Sequence, residues 1–534
     1  MPLALSKDRI KPEAHPTASM MMIQRRLWRF PRIRWRRNLS SLQDLRISLK
    51  DDIDALPEKS ALLSLTHFLD SHASESAGSS IRPPKVPERG YHHEMNQNQI
   101  RTTMDAMFAT FALHVESRIA ALAGHGFYTI GPCGEEALAS AAHALLPTDS
   151  AALHYRHLAI NLARGFIAAG PTALPDILLD RARGYCISRH DPVTGGVHCS
   201  IGSRSGHDYI VTSTLASQCP PAVGRALGFA MQPNSTNPTA DKSDRQRQLS
   251  FVTIGDGSAH HSHFWSSFHL ARHARHKRVK CPVVFGISDN GLSISYSTGG
   301  YCRTLFEHDP LVPLFQANGN DMMDVYDKTK LAMDFTRRHC APTVLLYSGL
   351  VRRFGHAATD RQFAYLTPEQ IEAMANEQVI ESSLVQAVEV YNAMTYAEAR
   401  DRFAQIQNWT AQAFDTASAE AKVTRQDMLD RVAPPALTIR YEKGGEEEKP
   451  GGQGKKEVMR KHMTRVLDEC LGRDENVIYL GEDVEHGGYY LVTDGLAAKY
   501  KGRVLDFPPV SELDLGISTY LHLHTLKHLM PETG

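Results

Sequence analysis

Asp256 is the one carboxylate in LSFVTIGDG, residues 249–257, where apolar β-formers run straight into Gly-Asp-Gly. A charge at the end of a buried-strand pattern is either a turn cap or a ligand. A second apolar run, CPVVFGIS, ends in SDNGLSIS and carries Asn290 and Leu292 just beyond its tip. Between the two, residues from about 263 to 276 read as a helix, so the runs are the strands of a βαβ unit and the sheet is parallel. Open parallel sheets take their ligands at the carboxyl ends of the strands. Asp256 and Asn290 then converge on one point. A carboxylate, an amide oxygen and a nearby backbone carbonyl are hard oxygen ligands that suit Mg²⁺ or Ca²⁺ and leave positions for phosphate oxygens. Gly255 and Gly257 let a bulky diphosphate approach the backbone. The plainer alternative is a strand-to-helix turn with Asp256 as its N-cap.

The pairing of GDG with a distant Asn resembles the GDG…NN signature of thiamine-diphosphate enzymes, with Asp289 where the first Asn commonly stands. The stretches MDAMFATFALHVESRIAAL and GFYTIGPCGEEALASAAHALLPTD resemble the opening of the α subunit of 2-oxo acid dehydrogenase E1 components. HYRHLAINLARG resembles that family's diphosphate-contacting Tyr-Arg. The resemblance implies Tyr155 and Arg156 on the phosphates, a task that suits a phenolic donor and a guanidinium fork. RRFGHAATD resembles the family's ordered loop over the cofactor and implies His356 close to the phosphates. Ala357 stands where the serine that kinases commonly modify would be. TSTLASQCPPAVG resembles the monovalent-cation loop of the branched-chain members and implies Ser213, Thr214, Ser217 and Gln218 as K⁺ ligands. VIYLGEDVEHGGYY and RVLDFPPVSELDLG resemble the start of the β subunit, fused here to the α-like part.

What the resemblance implies is a doubly wound α/β parallel sheet and an E1 component of the branched-chain type. The implied reaction is oxidative decarboxylation of a branched-chain 2-oxo acid, with acyl transfer to a partner acyltransferase bearing lipoyl groups. Thiamine diphosphate and Mg²⁺ are the implied cofactors, together with K⁺. Asp256, Asn290 and the Leu292 carbonyl would hold Mg²⁺. Glu512 of VSELD would act as general acid/base at the aminopyrimidine ring, and Glu482 of GED would be the second acid of that half. RVLDFPPVSE is one residue longer than the family's usual run into that glutamate. After Gly516 the sequence no longer resembles a β subunit, so the second domain reads as truncated. A homo-oligomer or a separate β chain would complete it. Two other readings stay open: a cofactor-binding subunit or fragment without turnover, and another thiamine enzyme of the pyruvate or acetoin type.

The elements that must position these residues can be read from the whole chain. Its 534 residues exceed a single ordinary core, so several domains are expected. Fifty-nine basic side chains balance 59 acidic ones, which gives nothing to steer it toward nucleic acid, and no apolar run is long enough for a membrane span. The eight cysteines contain no CxxC pair and read as reduced thiols. Residues 1–90 read as an arginine-rich, acid-poor leader of mitochondrial type, directing the chain to the matrix, followed by a disordered tether. The α-like domain spans 91–434, with helices from Asn98, over GEEALASAAHALL, over AVGRALGFAMQ, and from about Pro368 to Val432. A charged Gly-rich linker covers 435–457, and the β-like start covers 458–534. The histidines at 260–276 include His269 and His273 on one helical face. They lack an acidic neighbour and an HExxH pattern, so they read as a solvated basic face and not as a zinc site.

Overall fold

The structure is a computed structural model that describes residues 41–74, 90–127, 130–197, 201–203, 208–231, 248–357, 360–432, 457–475 and 477–506. Its centre is a five-stranded, wholly parallel sheet. The strands are β1 (Ser150–Ala152), β2 (Ser250–Gly255), β3 (Val283–Ser288), β6 (Leu314–Asn318) and β7 (Thr343–Ser348), in the order β1-β2-β3-β7-β6. A short hairpin, β4 (Leu292–Ser293) with β5 (Tyr296–Ser297), follows β3.

Val, Ile, Phe and Leu dominate these strands because both faces are covered. Successive side chains alternate between two apolar clusters. Phe251, Val284, Leu345 and Tyr347 enter one cluster with the helices Gln97–Leu122, Leu158–Ala169, Met322–His339 and Tyr396–Ala419. Val252, Ile254, Phe285, Ile287 and Leu346 enter the other with the helices Cys219–Met231 and Ser262–His276. The 26-residue helix Gln97–Leu122 is buried along most of its length and opens on a capping box between Asn96 and Gln99. Among the described residues no helix is long and apolar enough to cross a membrane.

The helix expected from about His263 to His276 forms as Ser262–His276, where the His261 ring caps the His263 amide. Two local expectations change. GEEALASAAHALL forms a tight 3₁₀ helix, Glu136–Ala144. Within the span read as leader and tether, residues 42–74 fold into the helices Leu42–Ser48, Lys50–Asp54 and Pro57–Ser74, with Leu42, Leu65 and Leu69 in the main core. The Leu62, Leu65 and Leu69 spacing there is a helical apolar stripe that Ser- and Gly-rich neighbouring sequence obscured. The arginine-rich part of that span lies outside the described residues, as does the linker from 433 to 456.

The β-like stretch contributes a helix, Met459–Arg473, and two short parallel strands, β8 (Tyr479–Gly481) and β9 (Val504–Asp506). They close over a small core of Leu471, Val484, Leu496 and Val504.

Candidate functional site

Four adjacent strands deliver the chemistry-bearing residues from their carboxyl ends. Tyr155 and Arg156 follow β1, Asp256 follows β2, Asp289 and Asn290 follow β3, and Arg352 and His356 follow β7. The register makes this convergence unavoidable: Gly255 pairs with Ser288, and Ser288 pairs with Tyr347. The next residue of β2's chain, Asp256, therefore stands beside the next residue of β3's chain, Asp289. The two carboxyl groups are close enough for the Asp289 charge to act on Asp256. Sequence reasoning looked to Asn290 and passed over this direct opposition, although strand-to-strand register at a shared tip would have pointed to it.

Asp256 is buried, and its pKa is raised, first by burial and also by the Asp289 charge. The Thr298 hydroxyl and the Gly257 amide, which both donate to it, only partly offset this. Burial likewise raises Asp289. Two facing carboxyls of raised pKa hold a proton between them or attract a cation. The Asn290 side chain accepts from the Leu292 amide at 3.2 Å and donates to Glu135 Oε1 at 3.2 Å. The hairpin β4–β5 returns Thr298 to Asp256.

The two glycines owe their identity to protein neighbours. A Cβ at Gly257 would lie 2.3 Å from Ser293 Oγ and 2.8 Å from Ser293 Cβ, and one at Gly255 would lie 3.3 Å from the His154 ring. The close approach expected of a diphosphate is, at Gly257, made by the side chain of Ser293.

Arg156, Arg352 and His356 form a second, cationic group on the loops after β1 and β7. Arg156 is buried; it donates to the Gly131 carbonyl and places Nη2 3.1 Å from His356 Nδ1. The rings of Tyr155 and His356 meet edge to face, with centroids 6.4 Å apart. Burial, together with the Arg156 and Arg352 charges, lowers His356 to about 4. The ring is therefore neutral at physiological pH. Arg156 can only donate, which makes Nδ1 the acceptor and Nε2 the proton-bearing atom. Asp360 holds the His356 amide at 2.7 Å and accepts from Tyr365 OH at 2.6 Å.

Two residues that sequence reasoning did not single out complete the group. Glu135 is 1% exposed. Burial works against its charge, but His157, Arg156 and Asn290 outweigh that and hold its carboxyl below the ordinary range. Two adjacent glutamates at the head of an Ala-rich apolar run were the available signal. Arg352 is 1% exposed, bonds Tyr365 OH at 2.7 Å, and leaves Nε and Nη1 buried without a hydrogen-bond partner.

The remaining expected residues fall in three places. Ser217 donates to the Thr214 carbonyl at 3.0 Å, within one turn that also holds Ser213. Gln218 donates to the Thr253 carbonyl, and its Oε1 is buried without a hydrogen-bond partner. Glu482 is exposed at the tip of β8 and has no hydrogen bond or ion pair with the Asp256 group among the described residues. Glu512 lies outside the described residues.

The donor set fits a divalent cation carrying a diphosphate. The carboxylates of Asp256 and Asp289, the Asn290 amide and the Leu292 carbonyl are hard oxygens. The unpartnered N–H groups of Arg352, beside Arg156, are what an anionic group would satisfy.

The family model described as dehydrogenase E1 component matches residues 109–425. The α subunit of mitochondrial 2-oxoisovalerate dehydrogenase from Caenorhabditis elegans is 26% identical over 247 residues, covering 44% of this chain and 49% of that protein. The α subunit of the mitochondrial pyruvate dehydrogenase E1 component from Saccharomyces cerevisiae is 27% identical over 247 residues, covering 46% of this chain and 52% of that protein. The 2-oxoisovalerate dehydrogenase α subunit of Bacillus subtilis is 27% identical over 225 residues, covering 41% and 60%. The chain thus spans about half the length of the first two of these relatives. With the family model covering more than half of its residues, from the helix before β1 to the helices after β7, the chain belongs to the dehydrogenase E1 component family.

Proposed function

We propose that this chain is the thiamine-diphosphate-binding part of an E1 component that decarboxylates a 2-oxo acid of the branched-chain type. In this reading the fold is the family's doubly wound sheet, followed by a β-like stretch. Asp256, Asn290 and the Leu292 carbonyl hold Mg²⁺, with Asp289 added from the strand register. Tyr155, Arg156 and His356 would bind the diphosphate. K⁺ occupies the turn of Ser213, Thr214, Ser217 and Gln218, which would stiffen the start of the helix Cys219–Met231.

When bound, the cofactor supplies a centre that stabilises the carbanion left as a 2-oxo acid loses CO₂. The chain's own residues bind and orient. Arg156 neutralises phosphate charge and fixes the His356 tautomer. His356 presents its Nε2 proton as a hydrogen-bond donor. Glu135 ties the Arg156 side to the Asn290 side. Acyl transfer to the lipoyl arm of a partner acyltransferase, in the mitochondrial matrix, completes the proposed role. Relatives named as mitochondrial α subunits of both the 2-oxoisovalerate and the pyruvate enzymes support this.

The observation that carries the reading is the opposition of Asp256 and Asp289 at adjacent strand tips, with Asn290 next in the chain and the Arg156–His356 contact on the flanking loops. The test is calorimetric titration of the purified chain with thiamine diphosphate, with and without Mg²⁺. CO₂ release from 3-methyl-2-oxobutanoate and from pyruvate is then measured, with and without a separate β chain. Binding that ignores Mg²⁺ would overturn the metal assignment, and faster turnover of pyruvate would overturn the branched-chain one. A second reading rests on the isolation of Glu482 from the Asp256 group. The chain then binds cofactor but has no turnover until another polypeptide supplies the aminopyrimidine half.

A further inference from the structure

We infer that a cationic cleft at the amino-terminal edge of the sheet binds a small, multiply charged phosphate anion. The cleft encloses about 450 Å³ and is lined by Arg275, His276, Arg278, Lys280 and His339. It lies where the chain enters β3 and β7. The Asp256 group is at the far ends of the same strands, about 20 Å away at the rise of a six-residue strand.

Two helix ends build the cleft. Ser262–His276 stops in a double backbone clasp, Val279 N to the Ala274 carbonyl at 2.8 Å and Arg278 N to the Arg275 carbonyl at 3.1 Å. Met322–His339 stops at Cys340, and the Cys281 amide bonds the Cys340 carbonyl at 2.9 Å, locking the two ends together. Helix carboxyl termini favour cations, but each carries only about half an elementary negative charge. Arg275, Lys277, Arg278, Lys280 and Arg338 bring five permanent positive charges to these two ends, with His276 and His339 beside them. Among the described residues none of these seven side chains has a carboxylate within ion-pair distance, whereas Arg272 nearby is paired with Asp309 at 2.7 Å. Capping alone leaves most of that charge unbalanced.

Arg278 sharpens the argument. Its φ is +60°, the left-handed position that ends this type of helix and that glycine fills without steric cost. The chain places a guanidinium there instead, at the rim of the cleft. Guanidinium and ammonium groups lining one hollow, whose wall also includes Val279, Leu311 and Cys340, suit phosphate oxygens, and several of them suit a group carrying more than one phosphate.

The double variant R278G/K280A tests this in the full-length chain, because glycine at 278 relieves the backbone and removes the charge together. The probe is inorganic tripolyphosphate followed by isothermal titration, with R156A as the control for uptake at the Asp256 end. The expected result is a cleft affinity weakened about tenfold or more in R278G/K280A, a cleft event retained in R156A, which removes only uptake at the Asp256 end, and a thermal midpoint in R278G/K280A at or above that of the parent. Unchanged affinity in R278G/K280A, or affinity lost only in R156A, overturns the proposal. If R278G/K280A unfolds, R275Q/H339Q carries the same expectation. Vesicles of phosphatidylcholine doped with phosphatidylinositol bisphosphate separate the sources. Sedimentation that tripolyphosphate competes away assigns the site to a lipid headgroup, and no sedimentation assigns it to a free anion.

Discussion

Glu135 Oε1 lies 3.2 Å from Asn290 Nδ2. The same carboxyl group is 3.8 Å from Arg156 Nε and 3.3 Å from His157 Nε2. One buried acid therefore joins the loop after β1 to the loop after β3, the two loops to which phosphate and metal binding are assigned. Groups that orient ligands from behind are worth nearly as much as the ligands. Glu135→Gln keeps the shape and removes the charge. Its affinity for thiamine diphosphate with Mg²⁺ should weaken about 10–100-fold, with the circular dichroism spectrum unchanged. Titration calorimetry measures this, and an undiminished affinity would show that Glu135 only fills space.

The tip of β2 depends on the missing side chain at Gly257. A methyl group there would sit 2.3 Å from Ser293 Oγ, and that serine belongs to the short hairpin that also carries Thr298 to Asp256. Gly257→Ala should push the hairpin away and loosen the hold on Asp256. Cofactor affinity should fall by at least about tenfold, while global stability falls by only about 1–2 kcal/mol. Adding Ser293→Gly removes both clashing atoms and should restore most of the affinity. Failure of that second change to rescue binding would mean that the glycine serves the ligand directly.

The sheet was legible because near-continuous apolar runs ending in Gly, Asp or Asn stand at 249–257 and 281–290. The site was legible only where a residue's type is unusual for its place. Asp256 qualifies, as a charge at a strand end. Asp289 gave no such signal, because its importance comes from pairing register, which links positions far apart in sequence. Glu135 and Arg352 looked like ordinary charged residues, and only burial reveals that each must be matched. The helices between 42 and 74 were hidden for the opposite reason. Their apolar stripe is amphipathic and sparse, and it gains its stability from docking on the helices Gln97–Leu122 and Tyr396–Ala419 and little from propensity.

Acid should erode the fold through buried histidines. Burial lowers His143 to about 4, and burial with two arginines lowers His356 to about 4. In the unfolded chain each titrates near 6.5. As pH falls below that value the unfolded chain takes up protons that the folded chain refuses, so the stability these groups contribute is lost as pH drops from about 6.5 toward about 4. By about pH 5.5 each should cost on the order of 1 kcal/mol. Glu136 and Asp149, raised by burial, act in the reverse direction, so the informative quantity is a difference between variants. His143→Gln should show a smaller loss of thermal midpoint than the parent between neutral pH and pH 5.5. Equal losses in both would mean that His143 has no depressed pKa in the folded state.

Glu58, 1% exposed, anchors the helix Pro57–Ser74 to the main body. Its Oε1 lies 2.9 Å from Arg118 Nε and 3.7 Å from His114 Nε2, both on the helix Gln97–Leu122. Burial opposes its charge, yet His114 and Arg118 hold its carboxyl below the ordinary range. Leu62, Leu65 and Leu69 pack behind it. A flexible tether would need neither the ion pair nor the stripe. Glu58→Ala should therefore lower stability by about 2 kcal/mol, since it removes the buried acceptor of the Arg118 Nε hydrogen bond and the carboxylate beside His114. Denaturant unfolding reads that loss, and limited proteolysis reads its location. In the parent, cleavage should begin outside 57–74, and in Glu58→Ala it should spread into that helix while the helix Gln97–Leu122 stays protected. Rapid cleavage within 57–74 of the parent would return this segment to the role of tether.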